Sequence, residues 1–142
     1  MLKFLIVLLL VSSIFCKDWE LCSSTENDIL TVKSVSIVPD PVQKGKNVTI
    51  TFDGTLSEEI KDPANIHLEV YMSGIKIFTK DMDMCTAQND VPCPISAGEH
   101  KLRQSFQIPN FVPSGEFTGK ITATNYDKKE IICVKFDVKI QG

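Results

Sequence analysis

The chain has 142 residues, the size of one domain, with Lys+Arg 15 against Asp+Glu 18 and a formal net charge of −3. Mild acidity is a poor match for a polyphosphate backbone, which excludes nucleic acid as a partner.

In chain order, the first element is a targeting segment rather than part of a fold. Lys3 supplies a positive start, Phe4 to Val11 is an unbroken apolar run, and Ser12-Ser13-Ile14-Phe15-Cys16 follows. This is a secretory signal pattern, too short for a membrane span, which needs roughly 20 apolar residues. Residues 1–16 are therefore expected to be a signal peptide cleaved after Cys16, and residues 17–142 a single domain without linker or repeat. No second apolar run of spanning length follows, so the mature chain is expected to be soluble. Removal of Lys3 leaves 14 bases against 18 acids, a net charge of −4. Cysteine falls from five to four: Cys22, Cys85, Cys93 and Cys133. A signal peptide with an even cysteine count reads as a disulfide framework in an oxidising compartment.

The rest of the chain has a period of two, the mark of half-buried strands. After a less regular segment, Thr31–Val38, comes the turn Pro39-Asp40-Pro41. In 47–53, Val48, Ile50 and Phe52 face one way and Asn47, Thr49, Thr51 and Asp53 the other. The sequon Asn47-Val48-Thr49 thus puts its asparagine on the wet face, where Asn47 can be glycosylated. Ser57–Asp62 could form one helical turn at most. Ile66, Leu68, Val70 and Met72 alternate with His67, Glu69 and Tyr71, then Ser73-Gly74 turns into Ile75–Lys80. Leu102, Phe106 and Ile108 share a face opposite Arg103, Ser105 and Gln107. Phe117, Gly119, Ile121 and Ala123 form the next inner face, and Ile132, Val134, Phe136, Val138 and Ile140 the last. About seven short strands separated by turn chemistry indicate an all-β, immunoglobulin-like β-sandwich.

Four cysteines allow three pairings. Cys85 and Cys93 flank one loop, and that proximity favours their pairing, which leaves Cys22 with Cys133. The alternation points Cys133 away from the core, so the second bond would pin the N-terminal segment onto the outside of the last strand. Catalytic chemistry is not evident. His67 reads as an exposed strand residue and His100 as a loop residue, and there is no nucleophile elbow, phosphate loop or zinc motif. Asp81-Met82-Asp83 lacks the spacing of a calcium loop and reads as a solvated strand end. No catalytic residue, metal or cofactor is expected.

One segment, Ile108-Pro109-Asn110-Phe111-Val112-Pro113, is unusually apolar for a connection. Phe111 and Val112 either tuck under as ordinary core or form an apolar lip around a cavity. The segments Pro39-Asp40-Pro41…Lys44-Gly45-Lys46-Asn47-Val48-Thr49-Ile50, Asp83-Met84-Cys85, Cys93-Pro94-Ile95, Val112-Pro113-Ser114-Gly115-Glu116-Phe117 and Ile131-Ile132-Cys133 occur in an order that resembles the ML lipid-recognition family. That family includes the soluble Niemann–Pick type C sterol carrier and the phosphatidylglycerol/phosphatidylinositol transfer proteins. The resemblance implies two sheets that part to hold lipid tails, no catalysis, and both disulfides as paired above. It implies a pocket mouth formed by Pro109, Phe111, Val112 and Pro113 with Ile77 and Phe78, and lipid contacts from the inner-face residues Phe106, Phe117, Ile121 and Phe136. It also implies a monomer in the extracellular space or the endosomal or lysosomal lumen, with transient membrane-surface contact. The sterol carrier has a further disulfide after its first strand, whereas Val38–Asn47 holds no cysteine. The chain therefore looks closer to the phospholipid-transfer branch, with sterol transport as the alternative cargo. An immunoglobulin-like recognition module with a solid core is the rival from a different class.

Overall fold

A computed structural model describes residues 18–22, 27–85 and 92–142. The segment expected to be a signal peptide lies outside them. Among the described residues nine strands form: β1 (Trp19–Leu21), β2 (Leu30–Val38), β3 (Val42–Gln43), β4 (Asn47–Leu56), β5 (Asn65–Met72), β6 (Ile75–Asp83), β7 (Gly98–Gln107), β8 (Gly115–Thr124) and β9 (Glu130–Gln141). One sheet runs β1-β9-β8-β5-β6, with β3 also paired to β9; the other runs β2-β4-β7. All pairings are antiparallel except β3 with β9. The seven expected strands are β2 and β4 to β9. The two additions, β1 and β3, are short and share one edge of β9, at Leu21↔Val134 and Val42↔Ile140.

The alternating residues make the core. Val48, Ile50 and Phe52 of β4 face Leu68 and Val70 of β5 and Val134 and Phe136 of β9 across the sandwich, all buried. Burying each such side chain stabilises the fold by about 1.5–3 kcal/mol. The segment 57–62 forms no helical turn. Ile60 is fully buried and bridges Ile95, each donating its N–H to the other's carbonyl at 2.9 Å. Anchoring that apolar side chain outweighs any local helical preference.

Both disulfides are present, Cys22–Cys133 and Cys85–Cys93. Cys133 alternates outward as expected, yet it is only 4% exposed. The outward direction follows from its alternation with the inner-face Ile132 and Val134. Two pieces of chain bury it: β1 pairs along the edge of β9, and the segment leading into β2 passes close by. Cys22 lies opposite Cys133 in that edge pairing, donating its N–H to the Cys133 carbonyl at 3.0 Å, and Ile29 donates to Glu130 at 3.2 Å. The N-terminal segment is thus a strand added at the edge rather than a strap laid over the face.

The apolar loop after β7 is held from below. Gly45 (φ +70°) turns the chain between β3 and β4, donates its N–H to Ile108 at 2.8 Å and accepts from the Gln107 side chain at 2.7 Å. A side chain at Gly45 would collide with Asn110. The turn and the loop therefore fix each other.

Candidate functional site: an apolar slot between the sheets

Between the sheets lies a narrow cavity of about 20 Å³. Phe106, Phe136, Ile50, Leu68, Val70 and Val48 wall it, with Ile37, Val42, Ile108, Val138 and Ile140 completing the lining. None of these side chains is polar. The volume is room for about one water by that measure, so an acyl chain enters only if the sheets move apart. The small and large sheets are joined mainly through side-chain packing, while hydrogen bonds run within each sheet, so such parting breaks no ladder.

The expected lipid contacts fall into three groups. Phe106 and Phe136 line the slot. Phe117 and Ile121 are buried in the core on the same inner faces but do not line it. The mouth residues divide. Phe111 is 71% exposed and meets Phe78 edge to face, ring centroids 6.2 Å apart. Val112 is 2% exposed and belongs to the core, which corrects its expected place on the lip. Its N–H turns back to the Pro109 carbonyl at 3.3 Å, which drives Val112 inward and leaves Phe111 outside. Pro109 is half-buried and Pro113 exposed on the same loop. In β6, Val70↔Phe78 is followed by Tyr71↔Lys76, so Ile77 is the extra residue of a bulge. The bulge lets both Ile77 and Phe78 pack on the core from an edge strand.

Gln104 escaped the sequence reading, although the alternation of Leu102 and Phe106 marks its position as inward. It is 7% exposed, and its Oε1 has no hydrogen-bond partner. Asn47 opens β4 with its side chain in solvent. Lys120 and Lys135 pair across β8 and β9 on the outer face, but Lys139 lies opposite Glu116 and Lys120 also opposite Glu69. That face is mixed in charge rather than basic.

On the opposite side of the sandwich, a cleft of about 240 Å³ opens beside β2, between the short strands β1 and β3. Trp19, Val35, Ile37, Phe136 and Val138 floor it, and Asp18, Asp40 and Asp137 rim it. The same three acids, with Glu116, border a larger outer cleft of about 480 Å³.

Titratable side chains outside the slot also interact. His67 is not simply a solvated residue: Nδ1 meets Asp81 Oδ1 at 2.7 Å and Nε2 meets Glu69 Oε1 at 3.1 Å, while Tyr71 donates its hydroxyl to Glu69. The hydrogen bond to Asp81 chiefly raises the imidazole pKa. The hydrogen bond from His67 chiefly lowers that of Asp81, and the one from Tyr71 chiefly lowers that of Glu69. His100 pins its turn through Nε2 to the Ser96 carbonyl at 2.6 Å. Near Cys133, burial, then a hydrogen bond with Glu130 and repulsion by its charge, push the Asp28 carboxyl up from 3.8 to about 7.

These directions fix a pH dependence. Asp28 binds its proton more tightly folded than unfolded, so stability falls as pH rises between 3.8 and about 7. The raised His67 contributes stability fully present below 6.5 and lost as pH rises through its folded value. Asp81 and Glu69, both lowered, withdraw stability only in stronger acid. Calorimetry is expected to show a higher Tm near about pH 5 than near about pH 7.5, with Asp28 contributing about 1–2 kcal/mol after solvent screening. Asp28→Asn should flatten much of that rise. A Tm that falls steadily from neutral pH to about pH 5 would contradict the assignment.

Two sheets packed about a narrow apolar slot, edged by short added strands and closed by two disulfides, define an immunoglobulin-like β-sandwich domain. The chain belongs to the ML domain family, whose sequence pattern matches residues 17–140. A Dictyostelium discoideum protein whose name proposes phosphatidylglycerol/phosphatidylinositol transfer is 30% identical over 140 residues, 99% of this chain and 98% of that protein. The phosphatidylglycerol/phosphatidylinositol transfer protein of Yarrowia lipolytica is 34% identical over 116 residues, covering 80% of this chain and 61% of its own length. Among solved structures, a Niemann–Pick type C2 protein from Japanese carpenter ant superposes with a TM-score of 0.65 at 18% identity, covering 87% of this chain and 98% of that one. That likeness carries the fold alone.

Proposed function

We propose that this protein is a non-catalytic lipid carrier that moves phospholipid, of the phosphatidylglycerol or phosphatidylinositol class, between membranes. The observation that carries the reading is the slot between the sheets, walled by side chains of which none is polar. A lipid tail gains about 0.8 kcal/mol for each CH₂ taken out of water, so such a slot holds a tail without specific bonds. Two relatives named for that transfer activity support the cargo class. In this reading residues 1–16 direct the chain to the secretory pathway and are removed. The mature monomer works in an extracellular or lumenal space, where its disulfides persist and Asn47 can carry a glycan.

Membrane contact would come through one end of the sandwich. Among the described residues, Val38, Ile75 and Phe111 are three of the five exposed large hydrophobics. They sit where β2 ends, β5 turns into β6, and β7 leads to β8. Exposed apolar side chains clustered at one end suit insertion into a lipid surface.

Native mass spectrometry of the purified chain tests the reading. A co-purifying species of phospholipid mass, or uptake of one from vesicles, is expected. A bare protein mass with no uptake would instead favour a recognition module. Phe111→Asp is expected to slow transfer about tenfold while moving stability by no more than about 0.5 kcal/mol, since its ring is mostly in solvent. Equal proportional loss of transfer and of folded protein would make Phe111 a structural residue.

A further inference from the structure

The slot is apolar, yet a phospholipid also has a charged headgroup, and the two sides of the sandwich offer it different surroundings. On the β2 side, Asp18, Asp40 and Asp137 rim the opening, and like charge there repels a phosphate. The β6–β7 side is different. Lys80 pairs with Leu68 in the β5–β6 ladder, and directly opposed residues share a face, so Lys80 leaves β6 on the same inner side as the slot-lining Leu68. It is half-buried and, among the described residues, has no ion-pair partner. Gln104 pairs in the same way with Ile50, another slot-lining residue, and leaves β7 inward. It is 7% exposed and its Oε1 is unpartnered. Leaving a buried amide oxygen unpaired is costly, so a carrier with a bare Gln104 is one whose bonding is incomplete.

Leu68 and Ile50 bound the same slot from opposite sheets. Their ladder partners Lys80 and Gln104 therefore flank it one strand further out, from the two strands that end their sheets on this side. We propose that Lys80 and Gln104 form the headgroup subsite. Lys80 takes the phosphate of an anionic glycerophospholipid. Gln104 bonds the polar glycerol region, its oxygen accepting from a hydroxyl or its amide donating to an ester carbonyl, while the tails fill the slot. This rests on the carrier reading above. It adds which residues hold the headgroup and which side of the sandwich the headgroup occupies.

The rival account of Lys80 is that an inward charge on an edge strand guards against pairing with a second chain. Transfer assays separate the two. The full chain is mixed with phosphatidylcholine donor vesicles carrying a trace of fluorescent phosphatidylglycerol or, separately, fluorescent phosphatidylcholine, and transfer to acceptors is followed. The unmodified protein is expected to move phosphatidylglycerol faster. Lys80→Gln should lower the phosphatidylglycerol to phosphatidylcholine rate ratio about tenfold, the order of one charge-assisted hydrogen bond. Gln104→Leu should raise Tm, because the unpaired oxygen is gone, yet slow transfer of both lipids. An unchanged ratio in Lys80→Gln overturns the subsite, whether or not the variant begins to self-associate, and so does undiminished transfer by Gln104→Leu. Failure of the unmodified protein to move either lipid would overturn the carrier reading itself, an outcome distinct from transfer with an unaltered ratio.

Discussion

Replacing Cys22 and Cys133 together with alanine is expected to lower Tm by about 20 °C. The bond joins residues 111 apart. In the chain-entropy treatment a closure of that length is worth about 5 kcal/mol, against about 2.5 for the 8-residue separation of Cys85 and Cys93. Net stabilities of whole domains are only about 5–15 kcal/mol, so the long bond alone carries a large share. The native state adds to the effect. Strand β1 makes only three register pairs with β9, and one of them, Trp19↔Phe136, lies over a slot-lining residue. Untethered, a three-residue edge strand frays, and water reaches the slot from the β2 side. Calorimetry of C22A/C133A beside C85A/C93A checks the order. A smaller fall for the long bond than for the short one would show that the unfolded chain is already constrained by other means.

Most of the architecture was legible because its strands are long enough to repeat. In β4, three alternations of Val48, Ile50 and Phe52 leave no other reading, and the same holds for β5, β8 and β9. Strands β1 and β3 have three and two residues, too few to display a period, and they exist only because the edge of β9 offers them partners. Periodicity also says which way a side chain points but not what lies there. Cys133 does alternate outward, and only the added edge strand and the approach to β2 explain its burial. The apolar loop shows the same limit. Phe111 and Val112 are adjacent and equally hydrophobic, and a single backbone turn sends one to solvent and the other to the core. Gln104 was hidden differently, since a polar residue inside an apolar alternation looks like a break in the pattern rather than a member of it. His67, Glu69 and Tyr71 were visible as one outer face of β5, but Asp81 joins them only through the β5–β6 register.

Gly119→Ala is expected to block lipid loading while leaving a folded protein. Gly119 sits in the middle of β8, between β9 and β5, opposite Phe136 on one side and Val70 on the other. A glycine there weakens a strand by itself, by roughly 0.5–1 kcal/mol relative to alanine, so its presence marks a close approach. The approach is the Phe136 ring, which lies across Gly119 so closely that an added Cβ would overlap its carbons. The far end of the ring occupies the space that a side chain at 119 would fill. With alanine the ring must lift, and the space it meets is the slot, which Phe136 already lines and which has only about 20 Å³ free. Overpacking of this kind costs about 1–3 kcal/mol, a fall in Tm of several degrees. Uptake of phospholipid should drop about tenfold, because the raised ring stands where a tail would lie. Adding Phe136→Leu to Gly119→Ala removes the overlap, and the pair should regain both stability and uptake beyond the sum of the single changes. Strict additivity of the two, or full lipid uptake by Gly119→Ala alone, would mean that the ring does not set the height of the slot.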